Sequence, residues 1–301
     1  MAPAKVVPLL VLSASLFGAA SARTGVFALQ GGTQKTTGHL AVRAVAGKPL
    51  VRELDFWMTR NGSATPVRRY QTDMTKLLHG VIVSDDFTTF LHVHPLFSNN
   101  GHFALEQRFP RRALYHVYAD GEPLGIGQQV FRFDINVGPT RRSAPRELMP
   151  TGPVTMAGPY TVTLSRLRLS TQGETMLNLR IRRGDKLARD LHPYLGTLGH
   201  AVFLNGKDLT YVHVHPMALG AGSARSAMSP NGTMPSAATM EMPAQPLRPS
   251  AVIAANMLLN VAVREPGTYK LWFQFRGGDA LRVASFVLTA SRETAPGSVT
   301  R

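Results

Sequence analysis

Six of the ten histidines fall into two sets of identical spacing: His79, His92 and His94 before Pro95, and His200, His213 and His215 before Pro216. Both sets read H-x12-H-x-H-P, and they lie 121 residues apart. Imidazole nitrogens ligate copper and zinc with bonds of about 2.0–2.1 Å, and three of them leave a coordination position open. The alternative is a pair of buried, hydrogen-bonded core clusters, since the adjoining residues Val81, Ile82, Val83, Leu91 and Val93 are apolar on both faces of a strand. Three converging imidazoles are harder to satisfy with backbone groups than one. As cations they would also repel one another below about pH 6.5. Metal binding is therefore the preferred reading, with affinity expected to fall as pH drops through about 6 because the ligands must be neutral.

The two segments, HGVIVSDDFTTFLHVHP and HAVFLNGKDLTYVHVHP, agree at 7 of 17 positions, all three histidines included, which marks an internal repeat. Each is an apolar run broken by a polar tetrad, Ser84-Asp85-Asp86-Phe87 or Asn205-Gly206-Lys207-Asp208, as in a β-hairpin. A turn over those four residues sets His79 opposite His92 and His200 opposite His213, with Cβ atoms about 5 Å apart. His94 and His215 follow two residues later and share that face. Asp73 and Asp190 precede the sets and are candidate acceptors for a ring N–H, although a turn or strand-edge role is preferred for both. His102 is a candidate fourth ligand for the first set.

Residues 217–249 carry no strand alternation and are rich in Ala, Ser, Gly and Pro. They hold Met217, Met228, Met234, Met240 and Met242, five of the chain's twelve methionines. Met217 follows the second H-x-H-P directly, and Met240-Glu241-Met242 forms an M-x-M pair. These three are candidate thioether ligands, because thioethers select Cu(I) whereas imidazoles suit Cu(II) or Zn(II). The competing reading is a tether with incidental methionines.

The elements that must position these groups are strands. Leu54, Phe56 and Met58 alternate with polar neighbours, as do Phe131, Phe133, Ile135 and Val137, then Leu177, Leu179 and Ile181, then Met257, Leu259, Val261 and Val263. Period-two patterning predicts antiparallel sheet. Strands are expected near 39–45, 51–59, 77–83, 88–94, 102–108, 114–120 and 128–137, and near 159–169, 175–182, 200–204, 209–215, 252–263, 269–275 and 280–289. That count suits an all-β chain of two immunoglobulin-like or cupredoxin-like antiparallel sandwiches in tandem. Tyr115 and Tyr269, each opening a late strand after a Pro turn, sit where such sandwiches carry a tyrosine corner. The expected boundaries are a first sandwich over 24–140, a Pro-rich linker over 141–158, a second sandwich over 159–291 with the Met-rich loop 217–249 inside it, and a disordered tail over 292–301.

Residues 1–23 pair a basic Lys5 with an apolar stretch and end in Ala20-Ser21-Ala22, the pattern of a secretory signal peptide. No later stretch approaches the twenty apolar residues of a membrane span. A periplasmic or secreted bacterial protein is expected. The chain has no Cys, which excludes a blue-copper centre, a zinc finger and a cysteine nucleophile. The net charge of +15 comes mostly from scattered Arg, without a basic helix or aromatic-interleaved stripe, so a solvated surface is preferred to nucleic-acid binding.

The repeated H…HxHP motif, each copy followed by a strand that opens on Tyr after a Pro (Pro110…Tyr115 and Pro266…Tyr269), resembles a group of bacterial exported tandem β-sandwich proteins, over about residues 36–290. Histidines with a Met-rich loop on an exported sandwich are also similar in ligand chemistry to periplasmic copper-binding proteins of the copper-resistance type. That resemblance implies a copper buffer or carrier, with a second envelope copper-handling protein as a candidate partner. Those proteins usually have one domain and an N-terminal His, and neither applies here. A cupin reading fails because no Glu follows either H-x-H. The first alternative is a non-catalytic envelope or adhesion module with structural histidines. The second is a zinc-dependent hydrolase, which lacks a general base because Asp85 and Asp86 sit at the hairpin tip.

Overall fold

The structure is a computed structural model and describes residues 23–26, 34–139, 147–219 and 246–292. Every element in it is a strand. The first half runs β1 (Arg23–Val26), β2 (Thr36–Val45), β3 (Lys48–Arg60), β4 (Tyr70–Gln71), β5 (Leu78–Ser84), β6 (Phe90–Val93), β7 (Leu96–Phe97), β8 (His102–Arg108), β9 (Ala113–Pro123) and β10 (Gln129–Val137). The second runs β11 (Val154–Ala157), β12 (Tyr160–Leu164), β13 (Arg168–Ser170), β14 (Glu174–Arg183), β15 (Lys186–Leu187) and β16 (Leu191–His192). It continues with β17 (His200–Asn205), β18 (Tyr211–Val214), β19 (Met217–Ala218), β20 (Asn256–Ala262), β21 (Gly267–Gly277) and β22 (Ala280–Ser291).

Two sandwiches in tandem result. In the first, sheet β1-β10-β9-β5-β6 faces sheet β2-β3-β8-β7; in the second, β13-β22-β21-β17-β18 faces β11-β12-β14-β20-β19. The strand orders correspond, so the repeat in the sequence is a repeat of topology. All pairings are antiparallel except β13 with β22. Alternation explains the layers: Leu54, Phe56, Phe131, Phe133 and Ile135 fill one core, and Leu177, Leu179, Ile181, Met257 and Leu259 the other. The tyrosine corners form as the sequence predicts. Tyr115 Oη donates to the Arg111 carbonyl at 2.9 Å and Tyr269 Oη to that of Glu265 at 2.8 Å.

The differences from the sequence reading are local. Residues 154–157, inside the expected linker, form β11, an edge strand on β12. The run expected at 159–169 is broken into β12 and β13, and β20 begins only at Asn256. Both hairpins pair two positions out from the expected register: Val81 faces His92 and Val202 faces His213. Each turn starts one residue later, because Ser84 N–H bonds the Thr89 carbonyl at 3.2 Å and Asn205 N–H that of Thr210 at 3.0 Å. A shift of two leaves every side chain on its original face.

β5 and β17 are buried along their whole length. One face of each feeds its own core, through Ile82 and through Ala201 and Phe203. The other face meets the second sandwich. Val81, Val83, Phe87, Tyr118 and Val130 of the first half and Val202, Leu204 and Trp272 of the second form a third apolar cluster between them. Phe90 stacks on Trp272 with centroids 5.1 Å apart, and Tyr211 on Tyr118 at 4.8 Å. Phe90 and Tyr211 hold equivalent places opposite Val83 and Leu204, and Tyr118 and Trp272 equivalent places opposite Val81 and Val202. The contact is isologous within one chain, as at a two-fold dimer interface.

Candidate metal centre

The outer faces of β5–β6 and β17–β18 carry the histidines, and the contact of the two sandwiches brings both sets into one cluster. On the first face, His79 lies beside Asp120 of β9 and His92 beside Val81; on the second, His200 lies beside Gln274 of β21 and His213 beside Val202. Within each half, neighbouring ring centroids are 4.6–5.4 Å apart. Across the halves, His92 and His200 are 4.8 Å apart, His79 and His213 5.2 Å, and His79 and His200 5.6 Å. The sequence predicts two separate three-histidine sets; the structure draws them into one cluster of six rings. Histidines 79, 92 and 200 form one group able to hold an ion, and histidines 200, 213 and 215 another, so the first group already crosses between sandwiches.

The ring nitrogens divide into an outer and an inner set. His79 Nε2 is 3.4 Å from the Asp73 carbonyl, His200 Nε2 3.3 Å from the Tyr194 carbonyl, and His92 Nδ1 3.0 Å from Gln274 Oε1. His213 Nδ1 is 3.5 Å from Asp120 Oδ2. The carbonyls and the Gln274 amide oxygen are acceptors, so the outer nitrogens of His79, His92 and His200 carry the hydrogen and their inner nitrogens are left with lone pairs. The inner nitrogens meet: His79 Nδ1 and His92 Nε2 at 3.2 Å, His200 Nδ1 and His213 Nε2 at 3.1 Å, His215 Nε2 and His200 Nδ1 at 3.1 Å. Between His79 and His92 this sets lone pair against lone pair, which repel at that separation unless a positive charge lies between them. A tetrahedral ion with bonds of about 2.0–2.1 Å sets its ligands roughly 3.3 Å apart, which matches. His94 Nε2 is buried and has no hydrogen-bond partner.

Tight turns support the first histidine of each set. Asp73 bridges to Lys76 and Tyr194 to Thr197, with Met74 and Leu195 both held at φ 55°. Non-glycine residues adopt that conformation at a cost, and the neighbouring structure holds them there. Each turn aims a carbonyl at the outer nitrogen of its histidine. The Asp73 carboxylate also lies 3.5 Å from His79 Nε2.

Electrostatics favour the neutral form of these histidines. Burial is the main cause of the depressed histidine pKa values, and the neighbouring imidazoles add to it: His92 falls to about 3, His94 to about 2, and His200 and His213 lie well below the ordinary value. His79 and His215 are lowered, again by burial first. Buried Asp120 is pushed up to about 7 by desolvation. Gln128 Nε2 donates to it at 2.8 Å, and a nearby positive charge would favour its ionised form further.

Several sequence candidates fall elsewhere. Asp190 does not reach His200; its carboxylate accepts a hydrogen bond from Tyr160 Oη at 2.7 Å and pairs with Arg183. It precedes His200 by ten residues, whereas Asp73 precedes His79 by six, so the residue equivalent to Asp73 is Tyr194. His102 is not a fourth ligand. It lies on β8 in the other sheet, with Nδ1 2.9 Å from the Asp55 carboxylate and its ring stacked on Trp57 at 4.9 Å. Asp85 binds His116 Nε2 at 3.1 Å and Asp86 pairs with Arg111, so both brace the hairpin tip. Met217 begins β19, which pairs with β20 in the sheet opposite the histidine hairpin. Met240 and Met242 lie outside the described residues. Asp120, Gln274, Tyr194 and Tyr211 escaped sequence reasoning. The available signal was a polar side chain inside an apolar strand, in Tyr118-Ala119-Asp120 and Phe273-Gln274-Phe275.

No curated protein matches the chain. A family model described as a domain of unknown function, DUF8832, matches residues 34–138 and 154–292, and the chain belongs to that family.

Proposed function

We propose that this protein binds metal, copper in the first instance, in a composite centre between its two sandwiches, and buffers or carries it. The observation behind this reading is the convergence of the imidazoles: the outer nitrogens of His79, His92 and His200 are tied to acceptors, and inner nitrogens meet at 3.1–3.2 Å in both halves. A purely structural pair would point the N–H of one ring at a lone pair of the next, whereas His79 and His92 face each other lone pair to lone pair. Imidazole-only ligation suits Cu(II) or Zn(II), and thioethers such as Met240 and Met242 would extend it towards Cu(I). The leader-like residues 1–23 support an exported protein, where such a carrier would meet the metal. With no thiolate in the chain, an electron-transfer centre of the blue-copper type is not part of the proposal.

The test is titration of the untagged protein with Cu(II), Cu(I) and Zn(II) against a competing chelator, beside a His200→Ala/His213→Ala/His215→Ala variant. Tight copper binding by the wild type and its loss in the variant is expected. Equal, weak binding by both proteins would remove the assignment, and a strong preference for zinc would change the metal.

A further inference from the structure

We propose that the centre is dinuclear: two ions per chain, one held by His79, His92 and His94 and the other by His200, His213 and His215, close enough to interact. This rests on the metal-binding reading and extends it to stoichiometry and ligand sets.

Six imidazoles exceed what one tetrahedral ion accepts. Close contacts between inner nitrogens occur in both halves, at His79–His92 and at His200–His213 and His200–His215, all 3.1–3.2 Å. Each half therefore presents a ligand edge of the right length for its own ion. His200 lies within reach of both groups, completing one with His79 and His92 and the other with His213 and His215. One imidazole cannot serve as an ordinary terminal ligand to two ions through one nitrogen. His94 resolves the conflict. Its Nε2 is buried, without a hydrogen-bond partner among the described residues, and on a ring 4.6 Å from that of His92 and 5.1 Å from that of His79. If His94 turns that nitrogen to the first ion, His200 is released to the second, and the sets become equivalent under the internal two-fold. Two carboxylates accompany the six neutral ligands: Asp120, 3.5 Å from His213, and Asp73, 3.5 Å from His79. One carboxyl group therefore stands beside the outer nitrogen of a histidine in each set.

The experiment loads untagged protein with Cu(II) by dialysis, measures bound copper per chain, and compares it with the integrated electron paramagnetic resonance signal. Two ions are expected, with a signal smaller than the copper content because neighbouring Cu(II) spins couple. His94→Gln and His215→Gln, which keep side-chain volume, should each hold about one ion with its full signal. One ion in the wild type, with a full signal, would overturn the dinuclear assignment while leaving metal binding intact. Two ions with a full, uncoupled signal would also overturn it, because the second would then lie elsewhere. No bound copper or zinc would defeat the metal-binding reading itself. Thermal melts of apo wild type and variants in chelator show whether the substitutions preserve the fold.

Discussion

His92 Nδ1 lies 3.0 Å from Oε1 of Gln274, a residue 182 positions later in the other sandwich. The symmetric contact joins His213 Nδ1 to Asp120 Oδ2 at 3.5 Å. Each sandwich thus fixes the middle imidazole of its partner, so neither half contains a complete set of oriented ligands. The acceptors occupy equivalent strand positions, Asp120 beside His79 and Gln274 beside His200.

Removing either acceptor should weaken metal binding without touching a ligand. Loss of such a partner typically costs 10–100-fold in affinity, because the ring loses its orientation and tautomer. Asp120→Ala and Gln274→Ala are each expected to fall in about that range by chelator competition. Asp55→Ala, which frees only the distant His102, should leave affinity unchanged. Wild-type affinity in both cross-sandwich variants would show that the outer contacts do not organise the centre.

The apolar cluster beside the histidines sets how firmly the halves hold together. Trp272 is 4% exposed and stacks on both Phe87 and Phe90 of the other sandwich. Trp272→Ala should cost about 3–5 kcal/mol in denaturant unfolding, the usual penalty for truncating a buried aromatic. It should also weaken metal binding, since the two ligand sets would no longer be held face to face. A stability loss with unchanged affinity would mean that each half binds its metal alone.

How much of this arrangement was legible beforehand follows from what sequence patterns encode. Alternation reports which residues share a face, and it placed all six histidines correctly even though the hairpin register was two positions out. A slip of two preserves facing, whereas a slip of one would have turned the histidines into the cores. The runs Val81-Ile82-Val83 and Val202-Phe203-Leu204 were visibly apolar on both faces, but an apolar face does not say what covers it. The cover is the other copy of the same motif, a relation of tertiary structure. Gln274 and Asp120 stayed hidden for the same reason: each touches a histidine more than 90 positions away, and no local spacing records that.

Metal should stabilise the folded chain by mass action. At a free concentration one hundred times the dissociation constant the gain is about 2.7 kcal/mol for each site that the unfolded chain does not bind. A rise in melting temperature with copper, reversed by chelator, is therefore expected in the wild type. His79→Ala should lose much of it, because His79 belongs to the group that crosses the junction. An identical shift in the variant would point to metal held elsewhere.

Acid should act on the empty protein through the same side chains. A histidine whose native pKa lies below the ordinary 6.5 binds fewer protons folded than unfolded. Its contribution to stability is complete above about pH 6.5 and is lost as pH falls towards the native values, about 3 for His92 and about 2 for His94. Asp120 has the opposite sign. With its pKa raised from 3.8 to about 7, its contribution is complete below about pH 3.8 and is lost as pH rises through about 7. One carboxyl against six depressed histidines leaves the histidine direction dominant. Urea unfolding of the metal-free protein is expected at a lower midpoint at pH 5 than at pH 7. Metal affinity, by contrast, should resist acid better than free imidazole would. While the protein stays folded, protons compete for the inner nitrogens only well below pH 6, not through it as the unperturbed side chains would suggest. An unchanged or higher urea midpoint at pH 5, or copper released with an apparent pKa near 6.5, would show that the six imidazoles are not the buried, neutral ligands described.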